Sequence, residues 1–330
     1  MKTSESWRKK ALNLLNPIRE VWHSGAIKDV EACVQKHLGA EAAAKYASTL
    51  FFNNGAFGQV VWIELQLLGL GRICADLSGT LAFEYAEQLQ AKILTQIHAE
   101  KGVYIPLKHN CLGAMFGLLE PISNPVESAL TLASKVTEIL ADFAPAKSIP
   151  APVLVSGIHF GTEHFCLTHC KQKAPSPNYL VRSYLEAGVV ASQLRCLAWQ
   201  LDMAAVISTP IKDRLSLSVE LLPLGALKFK EELPIMKEIG NLWAMPRTPL
   251  PHEAKIQWQN AIESLNAGET ETAERQFQAA TNAAPDLIKA GTYYISGTPT
   301  PQDPYEVWWT TAGISIIKDG ETVVAVKADA

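Results

Sequence analysis

From Gly71 to about Glu238 the apolar residues switch repeatedly between a two-residue repeat and a helical repeat, with short polar breaks between them. That order constrains the fold more than any other feature of the chain. Arg72–Leu77 predicts a short strand, Phe83–His98 a helix, and Val103–Leu107 and Cys111–Phe116 two strands joined by the tight turn Lys108, His109, Asn110. A helix over Val126–Phe143 follows, then a break at Pro145, Pro150 and Pro152 and a strand over Val153–His159. After the polar loop Lys171–Asn178 come a helix, Ala187–Leu201, a strand, Ala204–Ile207, and an antiparallel pair near Ser216–Leu222 and Gly225–Glu238. This alternation predicts an α+β fold, a ferredoxin-like antiparallel sheet with helices on one face.

The flanks read differently. Trp7, Leu12, Leu15, Ile18 and Val21 form one helical stripe and Val30, Cys33, Val34 and Leu38 another, before a strand over Gln59–Leu67 that is apolar except for Glu64 and Gln66. Beyond the Pro-rich linker Pro246–Pro251, helices are expected over Ile256–Leu265 and Thr270–Ala283. Ala273, Phe277, Ala280 and Pro285 have the spacing of the second helix of a tetratricopeptide repeat, and one such pair needs a further surface to bury its apolar face. The tail predicts a strand at Glu306–Ala312 and a hairpin around Asp319-Gly320. The expected domains are residues 1–69, 70–245, 252–290 and 291–330.

Composition removes whole classes of function. A 48% hydrophobic chain excludes disorder and fibrous folds, and 29 Lys+Arg against 33 Asp+Glu leave a net charge of -4, with no basic field to recruit nucleic acid or anionic lipid. Val60–Leu70, the most apolar stretch, is far short of the ~20 residues needed to cross a bilayer. The N-terminus lacks the pattern of a secretory signal, and six scattered cysteines suit reduced thiols, so a cytoplasmic location is expected.

Five stretches, in order, carry a family resemblance. They are Cys74–Thr80 (CADLSGT), Ala114–Gly117 (AMFG), Val155–Gly161 (VSGIHFG), Val189–Ser208 and Leu224–Pro234 (LGALKFKEELP). The first is similar to the ADI-x-GFT strand of class III adenylyl and guanylyl cyclase domains, the others to that family's GDAVMAVFG, GIHTG, Asn/Arg helix and closing strand. Residues of about 70 to 240 therefore resemble a nucleotidyl cyclase catalytic domain, followed by a helix of the kind appended to bacterial members.

In that family two aspartates hold two divalent ions, magnesium or manganese, while an Asn and an Arg from a second protomer orient the ribose and neutralise developing charge. The resemblance puts Asp76 at the first metal position and Asn110, a neutral donor, at the second. It puts Val189 at the orienting Asn and Gln193 at the transition-state Arg; a register shifted by two residues supplies Arg195 instead. The base-selecting pair falls on Pro106 and near Leu180, and Lys230 stands where a triphosphate-contacting lysine would. Asp76 is equally readable as a cap of the turn that follows it.

The resemblance thus implies a catalytically degenerate cyclase homologue acting in signalling through binding, with a homodimer or another signalling protein as partner and a nucleotide as a potential ligand. A divergent active cyclase using Asp76, Asn110 and Arg195 is the alternative. Two further features stand outside this scheme. His159, Glu163, His164, Cys166, His169 and Cys170 crowd into twelve positions without the spacing of a standard zinc set, ordinary strand residues being the default reading. Trp308 and Trp309 on the tail strand are expected to divide between core and surface.

Overall fold

The computed structural model describes residues 25–77, 79–107, 110–143, 151–169, 179–183, 186–216, 219–229, 240–296, 314–318 and 321–325. The chain divides into two compact units, Met1–Gly58 with His164–Tyr184, and Gln59–Glu163 with Leu185–Ala330.

In the first unit, helix α1 (residues 25–38) and helix α2 (Ala40–Asn53) meet at Gly39. Val30, Val34, Ala43, Ala47 and Leu50 are fully buried, the i, i+4 and i, i+7 spacing that makes one apolar stripe on each helix. This unit also takes the first residues of β1 (Gly55–Leu68), the last of β4 (Val153–His169) and β5 (Tyr179–Ser183), which pairs antiparallel with β4 from Phe165↔Ser183 to His169↔Tyr179. Buried Phe165 meets the His37 ring edge to face at 6.0 Å.

The second unit holds α3 (Leu70–Asp76), α4 (Gly79–Ala99), β2 (Val103–Pro106), β3 (Cys111–Phe116), α5 (Pro125–Asp142), α6 (Glu186–Gln200), β6 (Ala205–Ser208) and α7 (Thr209–Lys212). After these come β7 (Leu222–Phe229), β8 (Asn241–Met245), α8 (His252–Asn266), α9 (Thr270–Ala283), α10 (Ile288–Ser296), β9 (Ile314–Lys318) and β10 (Glu321–Ala325). The strand order is β10-β9-β7-β8-β6-β4-β1-β3-β2, with β5 beside β4. β4 and β6 run parallel; β1 with β3, β2 with β3, β6 with β8 and β7 with β8 run antiparallel.

Burial at consecutive positions along the central strands reflects helices covering both faces of this sheet rather than one. Val61, Ile63 and Leu65 of β1 join Leu89 and Ile93 of α4 and Leu132 and Val136 of α5 in one apolar cluster. Val155 of β4 and Leu242 of β8 join Leu194 and Leu197 of α6, Trp258 of α8 and Phe277 of α9 in the other. The face that the α8–α9 pair cannot bury alone is therefore covered within the unit, with Trp258 against Phe277 at 5.0 Å and its indole N–H donating to the Pro223 carbonyl at 2.9 Å. The start of α5 follows capping chemistry: Asn124 accepts from the Glu127 N–H at 3.2 Å, and Pro125 occupies the first turn, where its missing N–H is harmless.

Four expectations are corrected. Residues 72–76 are helical, as part of α3, and Leu77 is its extended C-cap, because so short an apolar run lacks the length that separates strand from helix. β4 continues past His159 to His169, with Gly161, Glu163, Phe165 and Leu167 buried and Thr162, His164 and Cys166 half-buried, a two-residue repeat written partly in polar letters. The expected turn near Pro223 is a bulge inside β7, where Gly225 takes φ +84°, a region costly for residues with a Cβ. The partner of β7 is β8, beginning at Asn241, rather than a strand over Gly225–Glu238. Residues 1–24, with their Trp7 stripe, and 301–310, with Trp308 and Trp309, lie outside the described residues.

Candidate functional site

β1 presents two chemically opposed faces. From Val61 on its odd positions are apolar, while Trp62, Glu64 and Gln66 turn toward α6 and are 2%, 5% and 0% exposed. α6 approaches so closely that a Cβ on Gly157 of the neighbouring β4 would lie 2.0 Å from the Ala191 carbonyl oxygen and 2.3 Å from the Arg195 nitrogen. Only glycine permits that approach.

The close approach sets Arg195 among the polar groups of β1. Its Nε donates to Glu64 Oε1 at 2.7 Å, its Nη1 donates to Gln66 Oε1, and its Nη2 lies 3.1 Å from Cys196 Sγ. Ser192, one turn earlier, donates to the same Glu64 oxygen at 3.3 Å. Burial pushes the Glu64 carboxyl up from its ordinary value, while the Arg195 guanidinium and the Ser192 hydroxyl pull it back. Burial works against the Arg195 proton too, but the Cys196 thiol, Glu64 and Cys111 outweigh it and raise the pKa of the guanidinium. Arg195 is 4% exposed, so this is an internal ion pair satisfied within one chain.

Asn110 immediately precedes β3. The register Gln66↔Cys111 brings it opposite Leu67, whose carbonyl accepts from its Nδ2 at 2.7 Å and whose N–H donates to its carbonyl at 3.0 Å. Its side-chain oxygen is approached by Cys111 Sγ at 3.8 Å. The amide is thus committed to tying β1 to β3.

The other positions drawn from the sequence separate. Asp76 is exposed at the last residue of α3, not on a strand beside Asn110. Val189 is 50% exposed on α6, and Gln193, one turn on, has a buried Oε1 with no hydrogen-bond partner among the described residues. Pro106 is the exposed last residue of β2. Leu180 pairs with Thr168 in β5. Lys230, His109 and Cys170 lie outside the described residues. Among the described residues no three His, Cys, Asp or Glu side chains gather to hold a metal ion, and the Asn110 amide, a neutral group already bonded to the Leu67 carbonyl, does not fit a pair of divalent cations.

A second buried polar pair sits on the same α6-facing side of β4. His159 Nδ1 is 2.8 Å from Ser208 Oγ, and the two residues are 1% and 0% exposed. Burial lowers the imidazole pKa from 6.5 to about 4, which keeps it neutral. Glu64, Gln66 and Ser208 were missed as site residues, and His159 was noticed only as one of the crowded His and Cys residues. The signal for the first two was visible: two polar residues at period two inside an otherwise apolar strand.

Two cavities of this unit, about 380 and 300 Å³, are lined respectively by α5 with the starts of β4 and β6, and by Gln59, Phe160–Thr162 and Glu186 with Thr209, Pro210, Asp213 and Arg214. Neither wall includes Asp76, Asn110, Gln193 or Arg195. Among the described residues no helix is long and apolar enough to cross a membrane.

No family model matches the chain, and no curated relative matches it. Solved structures do. A bacterial light-regulated adenylyl cyclase superposes with a TM-score of 0.51 at 12% identity, over 79% of this chain and 70% of the other. A second structure of a bacterial light-regulated adenylyl cyclase gives 0.51 at 13% identity, over 79% and 71%. The adenylyl cyclase CyaB from P. aeruginosa gives 0.46 at 9%, over 58% and 96%. At such identities the likeness is one of fold, and the fold is cyclase-like.

Proposed function

We propose that this chain is a catalytically degenerate nucleotidyl cyclase homologue that serves as a regulatory or binding module, as a homodimer or docked on another signalling protein. One observation carries the reading: Arg195 is buried on Glu64 and Gln66 of its own chain. A cyclase needs divalent cations at the strand ends and an arginine free to meet the pyrophosphate. Here the arginine is committed to its own chain, its guanidinium held by Glu64 and Gln66.

The strand beside β3 also moves the family signature. Set against A-D-I-x-G, the residues Leu65, Gln66, Leu67, Leu68 and Gly69 give the metal aspartate's place to Gln66, in preference to Asp76. Gln66 and Asn110 would then be two amides in place of two carboxylates, and two neutral donors hold a hard cation poorly. Losing one charge-stabilising group typically costs ~10²–10³ in rate, and losses of independent parts compound.

Purified protein incubated with ATP or GTP and Mn²⁺ is expected to form no cyclic nucleotide above a protein-free control. Robust product would overturn the proposal. If that product also vanished in Asp76→Ala, the divergent active cyclase using Asp76, Asn110 and Arg195 would replace it. Nucleotide retention is a separate question, read by equilibrium binding of a fluorescent ATP analogue with and without Mn²⁺.

A further inference from the structure

The crowd of His and Cys residues on β4 does not converge. Successive residues of a strand face opposite ways, and burial alternates along it: Glu163 and Phe165 are buried, His164 and Cys166 half-exposed. The two half-exposed residues share one face, and there Cys166 Sγ lies 3.0 Å from His164 Nδ1. The Phe57 ring meets the imidazole edge to face at 6.0 Å, limiting how it can turn. In the β4–β5 register the residue opposite Cys166 is Arg182.

Three of the other described thiols differ. Cys196 is 1% exposed and Cys111 9%, out of reach of a reagent in solution. Cys74 is half-buried, its Sγ 3.9 Å from the Ala82 carbonyl oxygen, and burial pushes its thiol up. Cys74 Sγ faces the Ala82 carbonyl, Cys111 Sγ the Asn110 amide oxygen and Cys196 Sγ the Arg195 guanidinium. A nucleophile within hydrogen-bond reach of a base, on an accessible face, is the arrangement that activates a thiol.

We propose that Cys166 and His164 form an activated thiol–imidazole pair, a site of covalent modification by small disulfides. In the exchange, the Cys166 proton passes to His164 Nδ1 and the thiolate attacks one sulfur of the disulfide. That S–S bond breaks as a new one forms to Cys166, and the departing thiolate takes up the proton from the imidazolium, so two electrons move and none are gained or lost. This site is independent of the Arg195 cluster and of any cyclase chemistry.

The test exposes the full-length protein at pH 7 to an aromatic disulfide of nitrobenzoic acid and follows each cysteine by peptide mass mapping. Cys166 is expected to react ~10-fold or more faster than Cys74, and His164→Gln to slow Cys166 by about 10-fold below pH 8 with Cys74 unchanged. Equal rates for the two cysteines, or a Cys166 rate indifferent to His164→Gln, would overturn the proposal. Should His164→Gln fail to fold, judged by its thermal melt, the wild-type pH profile decides. An inflection for Cys166 well below the ordinary thiol value of ~8.5 supports the pair, and one at or above it removes it.

Discussion

Two polar groups are buried against α6, on neighbouring strands, by opposite means. Arg195 and Glu64 are held as a pair because each brings the other a partner at 2.7 Å; His159 with Ser208 stays neutral because burial drives its proton off. The first arrangement is stable only as a pair, the second only above a certain pH. What the contrast teaches is that a buried polar site can be insulated from its surroundings by complementarity or by protonation state, and the two fail under different stresses.

Removing half of the charged pair is the strongest way to break this comparison. Arg195→Met, which leaves Glu64 buried without its cation, is expected to lower the unfolding free energy by about 3–5 kcal/mol in denaturant titration. The double variant Arg195→Met with Glu64→Leu should recover most of that loss. If the single change is as mild as the double, the pair is not insulated as described.

Acid attacks the neutral pair instead. The folded pKa of His159, about 4, lies below its ordinary 6.5, so between those values the unfolded chain binds a proton that the folded chain does not. The resulting stability is whole above pH 6.5 and is lost as pH falls toward 4, by roughly 3 kcal/mol. Melting curves of His159→Phe should lack this component of the pH dependence; an unchanged slope would assign it elsewhere.

A smaller effect sharpens the site itself. Asn110→Ala deletes the donor to the Leu67 carbonyl and should cost about 1–3 kcal/mol. Asn110→Asp, which sets a carboxylate against that carbonyl, should destabilise similarly and confer no Mn²⁺-dependent cyclase activity.

Much of the fold was legible because long periodic segments announce themselves. The stripes of α4, α5 and α6 and the alternation of β1 were readable from spacing alone, and β2–β3 from two apolar runs flanking a polar turn. Residues 72–77 were not, since the CADLSGT match suggested a strand where only Ile73 of α3 is buried. The site was half legible. Arg195 was noticed as an arginine in a shifted register, but its acceptors lie 131 and 129 positions away, and no local pattern encodes which helix will cross which strand. The polar residues inside β1 advertised a need for partners without naming them.

The contact at Gly157 has a consequence for descent. Every single-nucleotide change of a glycine codon that alters the residue installs a Cβ, and here that carbon would sit 2.0 Å from the backbone of α6. Making room means withdrawing the helix, and with it the arginine. Orthologues carrying a larger residue at this position should therefore also have abandoned the acidic residue at position 64, so the two loci are inherited as one.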